Sequence, residues 1–294
     1  MADFALLLGN GINNISNDKS WERLLLNIIN FMGINDKITS IRSKPFPLLY
    51  EEIFLRSLTG VSYPEKKLKE YIAQQVSQIE YNAIHTRIMN SSCRDILTTN
   101  YDYSLQKSIG CHERGLKNMG YVLEKTYSIF RHNKAGPIRI WHIHGECNAP
   151  QSITLGYEHY GGYLQQIRNY AASGSYYETI GKKILPLIRR LDYDELYIRS
   201  WIDIFFTKNI HIVGLSLDTS EIDLWWLLTF RARTTFRKPG KVANKVYYYC
   251  PSEYVQASAE KLQLLEANGV EVVTVKGKHD SNYYNKVIDI IEGK

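Results

Sequence analysis

The residues best suited to chemistry stand in four short clusters, each at the end of an apolar run. The first is Leu8-Gly9-Asn10-Gly11. Glycine at such a place lets the backbone turn tightly and approach a diphosphate, and the N-terminus of a following helix favours the negative charge. Position 14 is Asn14 where a dinucleotide fingerprint carries its third glycine, so an ordinary strand-to-loop turn competes with that reading. The second cluster is Thr98-Thr99-Asn100-Tyr101-Asp102. It offers an amide and a carboxylate outside the carboxyl end of a strand, where ligands bind in open α/β sheets. The same residues also suit an Asx turn that caps the next helix. The third is His142-Ile143-His144-Gly145-Glu146. If the strand persists, alternation puts His142 and His144 on one side, and Gly145 then frees the chain to turn. A histidine there suits a general base, whereas a metal would need a third well-spaced ligand that the sequence does not supply. The fourth runs from Val213 through Gly214-Leu215-Ser216-Leu217 to Ile222. Its amides and the Ser216 hydroxyl suit phosphate or ribose oxygens, and Asp218 or Ser220 suits a helix cap.

Each cluster needs a strand to end where it begins. Ala5 to Leu8, Asp95 to Thr99, Ile138 to Ile143, Asn209 to Val213, Val246 to Tyr249 and Val270 to Val275 are short apolar, β-rich runs with helical patterns between them. Continuous apolar strands separated by helices predict a parallel sheet covered on both faces. The fold class is therefore α/β, a Rossmann-like parallel sheet, in one domain over residues 1–294. Two helical insertions are expected, at about 22–92 and 157–205. Pro45 and Pro47 break the first block. Ser20 is its possible N-cap, without the capping-box Glu, since Arg23 stands three residues on.

The chain of 294 residues carries 36 Lys+Arg against 30 Asp+Glu, 44% hydrophobic and 12% aromatic residues, and a mean hydropathy of −0.30. That composition excludes intrinsic disorder, and the apolar runs fall far short of the roughly 20 residues of a membrane span. Met1-Ala2-Asp3 lacks the positive start of a signal peptide, so a cytoplasmic address is expected. A net charge of +6 with dispersed basic residues does not fit a sequence-specific nucleic-acid binder. Cys93, Cys111, Cys147 and Cys250 form no C-x-x-C pair, so neither a disulfide framework nor structural zinc is expected. Tyr157, Tyr160 and Tyr163 share a helix face, and Trp225, Trp226 and the basic stretch from Arg231 to Lys245 follow the fourth cluster. Core packing is the first reading of the aromatics, and a solvated helix end that of the basic stretch; an interface is the alternative, since these residue types are enriched there.

Gly-Asn-Gly after the first strand, Trp-x-x-Leu-Leu, Thr-Thr-Asn-Tyr-Asp, His-Gly and Gly-Leu-Ser-Leu-x-x-x-x-Ile occur in the order that resembles the sirtuin (SIR2) fold. The likeness is closer to the SIR2-like NAD hydrolases of bacterial anti-phage defence. It implies that Gly9, Asn10 and Gly11 approach the NAD diphosphate, that Asn100 contacts the nicotinamide ribose or attacking water, and that Asp102 faces the nicotinamide amide. It further implies that His144 is the active-site histidine, and that Gly214 and Ser216 lie near the phosphates and adenosine ribose. Thr99 stands where sirtuins usually have Gln. The four-cysteine zinc module of the deacetylases is absent, as is their Pro-x-Phe-Arg segment, so the expected activity is NAD hydrolysis and not deacetylation. The resemblance also implies a homo-oligomer, a role as an abortive-infection effector, and a partner such as a HerA-type DNA-translocating ATPase. A non-catalytic NAD- or ADP-ribose-binding module is the alternative.

Overall fold

The computed structural model describes residues 3–15, 21–58, 65–112, 115–193 and 196–294. Its strands are β1 (Phe4–Leu8), β2 (Asp95–Thr98), β3 (Asn133–Ala135), β4 (Ile138–His142), β5 (Ser175–Tyr177), β6 (Lys182–Ile184), β7 (Asn209–Val213), β8 (Val246–Pro251) and β9 (Val270–Val275). Seven of them share one sheet in the order β3-β4-β2-β1-β7-β8-β9, while β5 and β6 pair as a separate hairpin. All neighbours in the large sheet run parallel except β3, which is antiparallel to β4. From β1 the chain builds outward to β2 and β4, then crosses to β7 and builds the other way through β8 to β9. The strand order therefore reverses between β1 and β7. In Rossmann-like α/β sheets, of which this is one, the crevice outside the carboxyl ends at that switch point is where ligands bind.

Alternation along β1 explains the layers. Ala5 and Leu7 enter a core with Trp141, Ile212, Tyr163, Trp201, Phe205 and Leu224 on one face. Leu6 and Leu8 enter another with Ile96, Ile140, Ile84, Ile88 and Tyr284 on the opposite face. Strands buried on both faces read as unbroken apolar runs for this reason. The helices are α1 (Trp21–Met32), α2 (Phe46–Ser57), α3 (Glu65–Ser77), α4 (Ala83–Met89), α5 (Ser104–Lys107), α6 (Tyr157–Arg168), α7 (Leu187–Asp192), α8 (Trp201–Thr207), α9 (Ile222–Arg237), α10 (Ala259–Ala267) and α11 (Ser281–Glu292).

The two expected insertions are only partly insertions. Leu25, Ile28, Leu49, Ile53, Leu68 and Ile72, from α1 to α3, build a third core together with Tyr101, Tyr103 and Leu155. α4 does not belong to it. Its Ile84, Ile88 and Met89 lie on the sheet with α11 residues Tyr284 and Val287, so α4 is the crossover helix that parallel β1 and β2 require. In the second block, Tyr163 of α6 and Trp201 and Phe205 of α8 likewise cover the sheet. The β5–β6 hairpin inside that block was read as helical, and β3 was not read as a strand at all. Each is three residues long, too short to display alternation. The Ser20 cap lies outside the described residues.

Candidate active site

A cleft of about 530 Å³ opens at the carboxyl ends of β1, β2, β7 and β8, within the size range of ligand pockets. Asn10, Gly11, Thr99, His144, Gly214 and Ser216 border it, so six of the expected site residues converge there. Lys44 and Phe46, at the start of α2, close one side, and Tyr248, Lys261 and Tyr284 another.

The β1 and β7 ends are joined backbone to backbone. The Gly9 amide donates to the Val213 carbonyl at 3.1 Å and the Gly11 amide to the Gly214 carbonyl at 2.8 Å. A Cβ on Gly9 would stand 2.5 Å from the Gly214 oxygen, and one on Gly11 would stand 2.7 Å from the same atom and 2.6 Å from the Tyr284 hydroxyl. Both glycines are thus required by the close approach of the β7 loop. Gly9 itself does not border the cleft.

Beneath this loop Asn13 organises a buried polar chain. Its Nδ2 donates to Asn10 Oδ1 and to Asp102 Oδ2, both at 2.9 Å. Its Oδ1 accepts from His85 Nε2 at 2.9 Å, and His85 Nδ1 accepts the Asn82 amide at 3.1 Å. Burial holds His85 below the ordinary histidine pKa against the pull of Asp102, which matches a neutral ring with one donor and one acceptor. Asp102 Oδ1 accepts the Ser104 amide at 2.9 Å, the Asx turn that opens α5. Both carboxylate oxygens are therefore engaged inside the protein, and Asp102 does not border the cleft. Asn100 is also enclosed. Its Nδ2 donates to the Gly9 carbonyl at 3.3 Å, and its Oδ1 is buried with no partner. A buried amide oxygen left unpaired is costly, and this residue is bonded to the loop whose Asn10 and Gly11 border the cleft.

His142 and His144 do not share a side. β4 ends at His142, whose Nδ1 lies 2.7 Å from the Asn100 carbonyl and whose Nε2 lies 2.9 Å from Gln106. The chain then turns at Gly145, with φ +98°, where a Cβ would meet the Ser152 carbonyl at 2.3 Å. The strand alternation thus stops before His144, which faces α6 and α9. Its Nε2 is 2.8 Å from Asp223 Oδ2, with the two side chains 2% and 0% exposed. The rings of Tyr160 and Tyr163 meet the imidazole edge-on, with centroids at 5.3 and 5.9 Å. Burial opposes a proton on His144, but the charge and hydrogen bond of Asp223, with Glu221, outweigh it and raise the pKa above the ordinary value. Burial also lifts Glu221, on the cleft wall, to about 7.

Sequence reasoning missed Asp223. It stands directly after the Gly-Leu-Ser-Leu-x-x-x-x-Ile pattern, and a carboxylate in the first turn of α9, just ahead of the apolar run from Leu224 to Leu228, was the available signal. Of the Tyr157, Tyr160, Tyr163 stripe, read as packing with an oligomer interface as the alternative, Tyr160 and Tyr163 are interior and wall in His144, while Tyr157 is exposed. Arg231, in the basic stretch read as a solvated helix end and loop or else a phosphate- or partner-binding patch, is buried and donates to Asn244. Asp218 does not cap α9, since its Oδ1 accepts from Ser220.

The cysteines are free and distributed, with Cys93, Cys147 and Cys250 in three different cores. Among the described residues no group of three or more His, Cys, Asp or Glu is placed to hold a metal ion. Among the same residues no helix is long and apolar enough to cross a membrane.

A Rossmann-like α/β protein with a buried His–Asp pair at the switch-point cleft is thus defined. Among protein families, the SIR2-like domain matches residues 94–273, more than half of the chain. The chain therefore belongs to the SIR2-like domain family, whose members use NAD. The match spans Thr99, Asn100, His144, Ser216 and Asp223 and begins after β1, so Gly9, Asn10 and Gly11 lie outside it. No curated protein matches the chain.

Proposed function

We propose that the chain hydrolyses NAD at the nicotinamide–ribose bond, giving nicotinamide and ADP-ribose. The observation that carries the proposal is His144, bonded to a buried carboxylate and bordering the switch-point cleft with Asn10, Gly11 and Thr99. The reaction is a glycoside-type cleavage with oxocarbenium character. The leaving ring is a cation in NAD and departs neutral, so the protein chiefly has to orient the ribose, steady developing charge and admit one water. Asn10, Gly11, Gly214 and Ser216 line the part assigned to the diphosphate and adenosine ribose. His144 takes the proton from water or a ribose hydroxyl. Asn100, through its unpaired Oδ1, orients the ribose or the water once the loop above it gives way.

The resemblance to defence NAD hydrolases extends the proposal to an anti-phage abortive-infection effector in the cytoplasm. It acts as a homo-oligomer with a partner of the HerA-type ATPase class, without zinc. The enclosed position of Asn100 favours one second reading, a non-catalytic NAD- or ADP-ribose-binding module in such a complex. Incubating the purified chain with NAD, with and without the partner, and following nicotinamide release by chromatography separates the two. Release is expected from the hydrolase. Binding of ADP-ribose with no release under either condition identifies the module.

A further inference from the structure

The His144–Asp223 contact says which nitrogen of the histidine works. Nε2 is occupied by Asp223 Oδ2 at 2.8 Å, inside the protein. Among the described residues Nδ1 has no protein partner, and His144 borders the cleft. A carboxylate accepts and cannot donate, so an ionised Asp223 holds the proton on Nε2 and leaves the lone pair on Nδ1. We infer that Asp223 is the positioning residue of His144, fixing the Nε2–H tautomer so that Nδ1 is the nitrogen that takes a proton at the cleft.

Three further features fit this assignment. Asp223 sits in the first turn of α9, a helix of 16 residues, where the amide dipoles favour a negative charge. Its second oxygen, Oδ1, is buried without a partner, so His144 is its one neutralising contact among the described residues. Tyr160 and Tyr163 stand nearly perpendicular to the imidazole, at 84° and 86°, and block it from swinging away. The titratable groups facing His144 are Asp223 and Glu221 from the start of α9 and the two tyrosines from α6. Burial lifts both phenols well above their usual range, so they stay neutral.

The inference rests on the hydrolase reading for its chemical step. As water oxygen bonds to ribose C1′, the C1′–nitrogen bond breaks and its electron pair returns to the pyridinium ring, releasing neutral nicotinamide. The water proton passes to Nδ1. The resulting imidazolium is held by Asp223 until Nδ1 gives the proton to solvent.

The test uses the full chain, in the presence of its partner where the partner is required for turnover. Asp223→Asn is expected to lower kcat by about 10² or more, to leave KM nearly unchanged and to move the acid limb of the pH profile downward, because the charge that favours imidazolium is gone. Asp223→Glu is expected to restore part of the rate. A purely structural role predicts lower melting temperature and weaker ADP-ribose binding with the acid limb in place, and that result overturns the assignment. A second measurement needs no variant at position 223 and no activity. In ¹⁵N-labelled wild-type protein, the His144 ring signals, identified by their loss in His144→Gln, are expected to show the Nε2–H tautomer above the acid limb. An Nδ1–H tautomer overturns the inference whatever the variants do. If no nicotinamide is released under any condition, the hydrolase reading fails while the tautomer still reports on the pairing.

Discussion

His144 and Asp223 are 79 residues apart in sequence and meet at 2.8 Å. The turn at Gly145 throws the histidine off the strand, and the first turn of α9 delivers the carboxylate from the other side of the sheet's switch point. Asn100 is held differently, with its amide nitrogen on Gly9 and its carbonyl oxygen unpaired. The two residues therefore predict different behaviour on top of a shared loss. Asn100→Ala and His144→Ala are each expected to lower NAD turnover by about 10² or more, the lower range for positioned acid–base groups. Circular dichroism should report a retained fold for both, but His144→Ala is expected to melt at a lower temperature than Asn100→Ala, because it leaves the buried Asp223 carboxylate without its one neutralising contact among the described residues. Turnover at the wild-type rate in both variants would remove the site from where we have put it.

At the scale of elements, α6 serves as the wall behind His144, and two adjacent glycines in it give a sharp contrast. Gly161 faces open space, so Gly161→Ala should stabilise the chain by roughly 0.5–1 kcal/mol through helix propensity. At Gly162 a Cβ would stand 2.6 Å from the Tyr127 ring, so Gly162→Ala should cost roughly 1–3 kcal/mol by overpacking. Because α6 carries Tyr160 and Tyr163, the second change should also slow turnover. Urea melts of the pair, set beside nicotinamide release, check both signs. β7 offers a pH-dependent counterpart. Burial pushes the His211 imidazole down to about 4, and its Nδ1 lies 2.9 Å from the Tyr249 hydroxyl. The unfolded chain takes up this proton near pH 6.5, the folded one only near 4. Stability is thus complete above the unfolded value and is lost as pH falls through that window. His211→Gln should flatten the change in urea midpoint between about pH 7.5 and 5. The slope persists in part because His85 and His132 are depressed as well. A variant slope as steep as the wild type's would contradict the burial of His211.

At the scale of the whole molecule, the proposed assembly has to be read from outside the cleft. Two of the three tyrosines that an interface could have used are consumed as the wall of His144. Trp226 stacks on Phe230 at 4.8 Å and the Trp225 indole donates to the Asp218 carbonyl, so both tryptophans serve α9 and its loop first. The oligomer and the ATPase partner therefore stand on the family resemblance. Light scattering at micromolar concentration is expected to find a multimer, and addition of the partner is expected to raise NAD turnover. A monomer that turns over NAD fully by itself would sink the regulatory part of the proposal and leave the chemistry intact.

The six longer strands, the class of sheet and the four cluster positions were legible in the sequence because all three follow from local chemistry. Leu6 and Leu7 must point to opposite faces of a covered sheet, and Gly9, Thr99, His144 and Gly214 follow apolar runs that can only be strands. Short elements such as β3 and the β5–β6 hairpin were not legible, since three residues carry no period. Nor could spacing tell which side chains reach the cleft. Asp102 reads as a ligand-facing carboxylate until Ser104 and Asn13 are seen to occupy it, and Asp223 reads as a helix residue until Gly145 turns His144 toward it. Backbone conformation is chosen within a few residues, but a buried polar atom is satisfied by whatever the fold brings to it from far along the chain. The residue types needed for chemistry were therefore written locally, while the pairing of His144 with Asp223, and the withdrawal of Asp102 and Asn100 beneath the β1 loop, were decided by packing across the sheet.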